Sequence, residues 1–215
     1  MSKLHYHIKG LMFYIRPYTF DIQCLEAVIS DKLYEKENFE PKYGDTIIDL
    51  GSYIGDYALY ARSKGARIIA FEPNKENFDL LIQNTTLNGM DIESYQIAVS
   101  DHIGEQTLYI KNSNAGESSL IYKQDKETTV HTVSLNAIFE TYGVNTCSIL
   151  RFDIQGAEFF IFDNFKYFQQ VDRIVGKVHS PEHEEKITKL FKKEGFDISI
   201  KPCGSVNIVF AKKND

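Results

Sequence analysis

The fold is decided by a stretch that reads DTIIDLGSYIGDY, from Asp45 to Tyr57. A short apolar run over residues 46–50 leads into a turn that carries two glycines, Gly51 and Gly55. Apolar residues then recur at helical spacing, namely Ile54, Tyr57, Ala58 and Ala61. A strand, a glycine-bearing turn and a helix in this order open a nucleotide-binding unit of an α/β fold. Glycine in such a turn lets the main chain approach a ligand, and the helix start presents unpaired N–H groups to it.

Two acidic residues indicate which ligand this turn suits. Tyr53 stands where a Gly-x-Gly-x-x-Gly fingerprint has the glycine that admits a pyrophosphate, which disfavours a nicotinamide-dependent oxidoreductase. Asp49, two residues before Gly51, is badly placed for a pyrophosphate but suits an ammonium or sulfonium group. A second apolar run, residues 67–71, ends in Glu72, where such folds carry the acid that binds ribose hydroxyls. Adenosine with a cationic amino-acid tail describes S-adenosylmethionine.

A series of motifs along the chain resembles those of one family. The motifs are, in order, residues 49–57, Phe71-Glu72-Pro73-Asn74, and residues 84–88, 98–101, 118–120 and 152–158. They fall within roughly residues 14–211 and are similar to the FkbM family of S-adenosylmethionine-dependent methyltransferases. The chain departs from the family pattern at Gln155, where the family usually has Glu, and at Arg151, where it usually has Lys. Gln155 removes a negative charge close to the donor.

The order of the remaining elements predicts a three-layer, doubly wound α/β fold. Strands are predicted near residues 92–98, 149–152 and 173–178, and helices after the capping residues Asn74, Ser134 and Ser180. The last two strands, near residues 196–201 and 206–211, are predicted to close the sheet as an antiparallel pair. The resemblance implies the Rossmann-like fold of class I methyltransferases, a mostly parallel seven-stranded sheet with a closing antiparallel strand.

We expect one compact domain, with an N-terminal cap over residues 1–43 and the methyltransferase domain over residues 44–215. In the cap, a strand is predicted at residues 11–15 and a helix at residues 21–34. The cap either covers the sheet edge or acts as a lid over the acceptor pocket. Residues 102–133 are predicted to form a hairpin-like excursion whose loop carries Ser118 and Ser119. That loop either covers the active site or belongs to an ordinary surface hairpin.

The candidate donor-binding residues lie at the ends of successive strands. Asp49 is expected to hold the ammonium group of the donor and Glu72 its ribose. Asp101 either accepts a hydrogen bond from the adenine amino group or is an exposed turn residue. Gly51 and Gly55 either contact the donor or serve only the geometry of the turn. The full set is Asp49, Gly51, Tyr53, Gly55, Glu72, Pro73, Asn74, Ala98, Val99, Asp101 and Asp153.

Asp153 and His179 are the first candidates for catalysis, because they follow the fourth and fifth strands, whose ends border the reacting centre. Asp153 either holds the donor, orients the acceptor or ligates a metal, or it merely caps the next helix. His179 is either a general base or simply a hydrogen-bonded side chain. Glu158 either contacts the substrate or only complements a helix dipole. The spacing of these three residues does not predict a metal site, so we predict no metal.

Composition restricts the partners and the location. The 215 residues carry 24 Lys and Arg against 30 Asp and Glu, and a net charge of −6 argues against nucleic-acid binding. The three cysteines have no metal-ligand spacing, and no apolar run has the form of a signal peptide or a membrane span. We therefore expect a cytoplasmic protein that binds neither membrane nor nucleic acid. The sequence leaves the oligomeric state open.

The leading hypothesis is S-adenosylmethionine-dependent O-methylation of a hydroxyl on a small molecule or a sugar-containing metabolite such as a glycan. An N-methyltransferase acting on RNA or protein would use the same donor site. The chain, however, has no Asn-Pro-Pro-Tyr-type motif after the fourth strand. A third hypothesis is a donor-binding module without catalysis, for which Gln155 is the only hint.

Overall fold

The computed structural model describes residues 3–111, 116 and 118–214. Its strands are β1 (Leu4–Ile8), β2 (Leu11–Ile15), β3 (Thr46–Leu50), β4 (Arg67–Phe71), β5 (Glu93–Tyr95), β6 (Ala98–Ser100), β7 (Gly104–Ile110), β8 (Lys126–Ser134), β9 (Ile149–Phe152), β10 (Arg173–Val178), β11 (Phe196–Cys203) and β12 (Val206–Lys213). Its helices are α1 (Asp21–Leu25), which continues as a π-helical turn (Glu26–Ser30), α2 (Asp56–Ser63), α3 (Lys75–Leu87), α4 (Leu135–Thr141), α5 (Glu158–Phe162) and α6 (Pro181–Lys193), with a 3₁₀ turn at Phe168–Gln170.

The central sheet confirms the predicted fold. Seven strands lie in the order β11-β12-β10-β9-β3-β4-β5. The five neighbouring strands from β10 to β5 run parallel to one another. β12 runs antiparallel to both β10 and β11. Successive buried residues of β3 point into different cores: Ile47 belongs to the apolar cluster under α2, and Ile48 to the cluster under α4, α5 and α6. The sheet is therefore covered on both faces, as a parallel sheet requires.

Three predicted elements differ in the structure. The single strand expected near residues 92–98 is two short strands, because β5 pairs with β4 whereas β6 pairs with β8. The excursion is therefore a three-stranded sheet in the order β6-β8-β7, larger than the hairpin we expected. The helix expected to reach residue 34 ends at Ser30. Lys32 has a φ of 53°, a left-handed conformation that a right-handed helix cannot continue through.

The N-terminal residues form a hairpin that docks on α3. β1 and β2 pair antiparallel, and only β2 was predicted from the sequence. Asn84 on α3 accepts from the N–H of Tyr14 (2.6 Å) and donates to the carbonyl of Ile54 (2.9 Å). Asn88 makes the matching pair of bonds to Met12, at 3.0 and 2.6 Å. These two side-chain amides form hydrogen bonds with the main-chain groups on the free edge of β2, as a neighbouring strand would.

In the part of the chain that the structure describes, every helix is too short or too polar to cross a membrane.

Candidate functional site

A cavity of about 540 Å³ opens where β3, β4, β9 and β10 end. Its volume lies in the range of small-molecule and cofactor sites. The strand ends supply Gly51, Tyr53, Glu72, Pro73, Asp153 and His179, and β6 supplies Ala98 and Val99. The N-terminal segment forms a further wall with Phe20, Gln23, Cys24, Ala27, Val28, Leu33 and Tyr34. The cavity is thus bordered by the strand ends on one side and by residues 20–34 on another.

The glycine turn after β3 is set by close packing. Gly51 has a φ of 81°, and a Cβ there would lie 2.2 Å from the carbonyl oxygen of Asp153. Gly55 has a φ of 90°, and a Cβ there would lie 2.6 Å from the Leu59 side chain. Glycine is therefore required at both positions by the turn itself. Gly51 lines the cavity, and Gly55 is not among the residues that line it.

Glu72 is buried at the end of β4 and faces the cavity. Its carboxylate accepts from the N–H of Tyr53 (2.9 Å), the N–H of Asn74 (3.0 Å) and the side chain of Asn77 (3.1 Å). Burial raises the pKa of Glu72 to about 7, although these hydrogen bonds act to lower it. The side chain is held in place at the cavity, and its contact with the ribose stays a prediction.

Asp49 lies elsewhere than its predicted role requires. It is fully buried and is not among the residues that line the cavity. Its Oδ1 accepts from Arg151 Nη1 at 2.9 Å, and its Oδ2 has no partner among the described residues. Asp49 is thus paired with Arg151 in this structure, and its contact with the ammonium of the donor stays a prediction.

Asp153 is the most heavily bonded carboxylate of the site. It accepts from the Tyr34 hydroxyl (2.9 Å) and Gln155 Nε2 (3.2 Å), and it pairs with Lys177 Nζ (2.9 Å). Burial acts to raise the pKa of Asp153, but Lys177, Arg151 and His179 hold it well below its usual range. Asp153 does not cap α5, whose N-cap is Ala157 without a side-chain cap. Asp153 is thus a fixed negative charge that lines the cavity.

His179 and Glu158 form a pair at the end of β10. The His179 Nδ1 and Glu158 Oε1 atoms are 2.6 Å apart, and Glu158 Oε1 also accepts from the N–H of Gly156 at 2.7 Å. His179 lines the cavity, whereas Glu158 is fully buried behind it and does not line the cavity. Burial acts to lower the pKa of His179, but the bond to Glu158 and the charge of Asp153 raise it above its ordinary value. Glu158 thus orients the imidazole and does not contact the cavity.

Two further predicted donor residues lie outside the cavity lining. Asp101 is exposed, accepts from Ser100 and contacts His102, which is the arrangement of the exposed turn residue that the sequence left open as an alternative; its contact with adenine stays a prediction. It directly follows β6, which belongs to the three-stranded sheet of the excursion. Asn74 caps α3 by accepting from the N–H of Glu76 at 2.9 Å, as expected from the sequence. Its amide nitrogen also donates to Ser118, which lines the cavity.

Sequence reasoning missed several residues that line the cavity, among them the polar side chains of Tyr34, Asp56 and Lys177. Lys177 carried a usable signal, because a charged residue inside the otherwise apolar strand β10 needs a partner, and His179 follows two positions later on the same face. Tyr34 lies in an irregular segment, so no periodicity could have placed it. Among the residues that the structure describes, no three His, Cys, Asp or Glu side chains are grouped to hold a metal ion.

Comparisons with known proteins identify the family of the chain. A model of the methyltransferase FkbM domain matches residues 49–198. The hexuronic acid methyltransferase AglP of Haloferax volcanii is 24% identical over 152 residues, which cover 70% of this chain and 63% of that protein. The methyltransferase sdnD of Sordaria araneosa is 24% identical over 212 residues, with 81% of each chain covered.

A solved structure shows the same fold. The tRNA (uracil-54, C5)-methyltransferase of Pyrococcus abyssi, in complex with S-adenosyl-L-homocysteine, superposes with a TM-score of 0.58 at 15% identity. The match covers 99% of this chain and 44% of that one, and this chain spans less than two thirds of the Haloferax protein as well. The family model covers more than half of the sequence. The chain therefore belongs to the methyltransferase FkbM domain family, and with it to the methyltransferases that use S-adenosylmethionine.

Proposed function

We propose that this methyltransferase transfers the methyl group to a hydroxyl of a small molecule or a sugar-containing metabolite. The observation that carries the proposal is the His179–Glu158 pair, at 2.6 Å, with the imidazole on the cavity wall and the carboxylate behind it. A base that is oriented by a buried acid is the arrangement that removes a proton from a weakly acidic group. A hydroxyl must lose its proton during methyl transfer, so it makes use of such a base.

Different residues of the cavity are proposed to bind the donor and to remove the proton. S-adenosylmethionine, when bound, supplies a methyl group on a sulfonium, which is an excellent leaving group, so alignment is the main requirement. Glu72 is the candidate for the ribose hydroxyls, and Ala98 and Val99 offer apolar contact to the adenine. His179 Nε2 is the candidate that takes the hydroxyl proton while the new C–O bond forms. Asp153 is a poor base, because three positive neighbours favour its ionised form.

The acceptor class is supported by charge and by one relative. Lys177, His179 and Gln155 give the cavity several polar donors, as a polyhydroxylated acceptor requires. The Haloferax relative bears the name of a hexuronic acid methyltransferase. A net charge of −6 disfavours binding of a long polyanionic acceptor such as RNA, although the Pyrococcus protein with this fold bears the name of a tRNA methyltransferase.

An acceptor screen tests the proposal. The purified chain is incubated with S-adenosylmethionine that carries a ¹³C-methyl group and with uronic acids, uronic-acid oligosaccharides, polyols, tRNA or a mixed peptide pool. We expect an O-methyl signal by mass spectrometry and NMR in a sugar arm, and a loss of about 10²–10⁴-fold in kcat with His179→Gln. Labelled tRNA or peptide with unlabelled sugars would contradict the proposal. Lys189→Gln, on the exposed face of α6, serves as the matched control.

A further inference from the structure

One carboxylate of the cavity has a single hydrogen bond and no ion pair with the described residues. Three described carboxylates line the cavity: Asp56, Glu72 and Asp153. Asp153 is neutralised by Lys177 at 2.9 Å and by Arg151 at 3.5 Å. Glu72 accepts three hydrogen bonds and shares none of its oxygens with a charged group. Asp56 accepts one short bond, from the N–H of Tyr57 at 2.7 Å, and no ion pair joins it to any described residue.

Asp56 is nevertheless almost fully buried, with 3% of its surface exposed. A buried carboxylate without a cation is costly, and burial raises the pKa of Asp56 to about 6. Its second oxygen is not among the buried polar atoms that lack a partner, so what remains accessible of the carboxylate faces the cavity that it lines. Retaining such a group makes physical sense when a ligand supplies the missing positive charge.

The position of Asp56 identifies which part of the donor it meets. It begins α2, directly after the glycine turn, and the charges that act on it are Arg151, Asp49 and Lys177, on β9, β3 and β10. Glu72 lies on the other side of β3, at the end of β4. A ligand whose ribose is held by Glu72 and which crosses the end of β3 therefore brings its other end towards Asp56. In S-adenosylmethionine that other end is an amino acid with an ammonium group.

We propose that Asp56 is the residue that binds the ammonium group of the donor, in place of Asp49. Asp49 cannot take this role, because its carboxylate is paired with Arg151 behind the cavity wall. The proposal rests on the use of S-adenosylmethionine and assigns the amino-acid subsite of the donor site. It also explains why an acid follows the second glycine of the turn, at a position where a helix start alone would accept many residues.

The experiment is a double-mutant-type cycle that combines the substitution Asp56→Asn with removal of the amino group from the ligand. Isothermal titration measures the binding of S-adenosylhomocysteine and of its deaminated analogue, which lacks only the amino group, to the full chain and to Asp56→Asn. We expect the substitution to weaken S-adenosylhomocysteine about 10- to 100-fold, the loss of one charge-assisted hydrogen bond, and to leave the deaminated analogue within about twofold. Asn keeps the oxygen that accepts from Tyr57, and Asp56→Ser gives the same comparison should the amide variant not fold.

The controls separate this proposal from the wider function. Asp79→Asn removes a carboxylate that is exposed and paired with Lys75, so both affinities should stay unchanged. An equal loss for both ligands, or no loss for either, with Asp56→Asn would overturn the proposal. If the unsubstituted chain did not bind S-adenosylhomocysteine at all, the assignment of S-adenosylmethionine as the methyl donor would instead be overturned.

Discussion

At the scale of single residues, one guanidinium organises the reacting end of the site. Arg151 lies on the central strand β9, with 2% of its surface exposed, between the carboxylates of Asp49 and Asp153. It also donates to the Tyr34 hydroxyl at 2.8 Å and stacks 4.4 Å from the centre of that ring. A guanidinium suits this place because it serves several acceptors from one fixed plane. The result is a rigid, ionised Asp153 beside a histidine whose pKa is raised.

The His179–Glu158 pair leads to a prediction about pH. If His179 is the base, the rate rises as the imidazole loses its proton, with a midpoint above the ordinary value because Glu158 and Asp153 raise the pKa of His179. Glu158→Gln removes a charge that favours the imidazolium, so the midpoint of kcat against pH should fall by about one unit. The maximal rate should fall as well, because a weaker base removes the proton less well.

The other charges around His179 stay in place in this test. Asp153, whose Oδ1 is 3.7 Å from His179 Nε2, still raises the pKa of His179, and Lys177 still lowers it. His183 lies 3.7 Å from the second oxygen of Glu158 and is the remaining titratable neighbour. Glu182→Gln, at an exposed position of α6, is the matched control and should leave the profile unchanged. An unchanged midpoint with Glu158→Gln would show that His179 is not the group that titrates.

The positions of site residues were predictable where a polar residue follows directly after an apolar strand, because ligands of parallel sheets bind at the carboxyl ends of the strands. Glu72, Asp153 and His179 each follow an apolar run, and the structure brings all three to one cavity. Asp49 lies inside β3, one residue before its end, and it is paired with an arginine of β9 that no local pattern could have identified as its partner. Asp56 was overlooked because an acid in the first turn of a helix has a sufficient local explanation in the helix dipole.

At the scale of elements, α3 does more than connect two strands. Its outer apolar residue Ile82 is 39% exposed, while Asn84 is fully buried against β2 and the glycine turn. An asparagine inside a helix is unfavourable by propensity, so its bonds to other main-chain groups are what justify it. Through Asn84, the N-terminal hairpin and the turn after β3 are fixed to the same helix.

Asn84→Ala should lower the free energy of unfolding by about 1–3 kcal/mol, because it leaves the N–H of Tyr14 and the carbonyl of Ile54 buried without a partner. Urea unfolding followed by circular dichroism measures this difference, and hydrogen exchange should show faster exchange at the Tyr14 amide. Gln83→Ala, the exposed neighbour on α3, should change the free energy by less than about 0.5 kcal/mol. Equal losses in the two variants would mean that the buried bonds contribute nothing specific.

Elements were predictable wherever a long apolar run met a capping signal. The strand at residues 173–178 and the capping by Asn74, Ser134 and Ser180 are as expected. The prediction of a single strand near residues 92–98 was wrong, because the two halves of this segment pair with different strands, β4 and β8. Strand pairing depends on residues far away in the sequence, so a local pattern does not reveal it. Ser118 and Ser119 were singled out in the excursion loop; Ser119 donates to the carbonyl of Gln155, whereas residues 112–115 and 117 lie outside the described part.

At the scale of the whole molecule, the described part of the N-terminal segment, residues 3–43, contributes to the core rather than being an addition to it. Phe13, Leu25, Ile29 and Tyr34 are buried in the same apolar cluster as residues of β3 and α2. Arg16 pairs with Asp21 at 2.9 Å, and Asp21 also accepts from the hydroxyl of Tyr53 in the glycine turn. Because this segment also forms one wall of the cavity, we propose that folding and donor binding depend on the same contacts.

Removal of residues 1–43 should therefore abolish cooperative folding, although the family model begins only at residue 49. The deletion uncovers the surface on which these residues pack, and each large apolar side chain is worth about 1.5–3 kcal/mol when buried. A handful of such losses equals the whole stability of a domain, about 5–15 kcal/mol. Circular dichroism in urea should show one sharp transition for the full chain, which S-adenosylhomocysteine shifts to higher urea, and a broad, ligand-independent slope for the fragment. A fragment that kept the same midpoint and the same response to the ligand would show that the segment is only a cover, because a cover can be lost without disturbing either the core or the donor site.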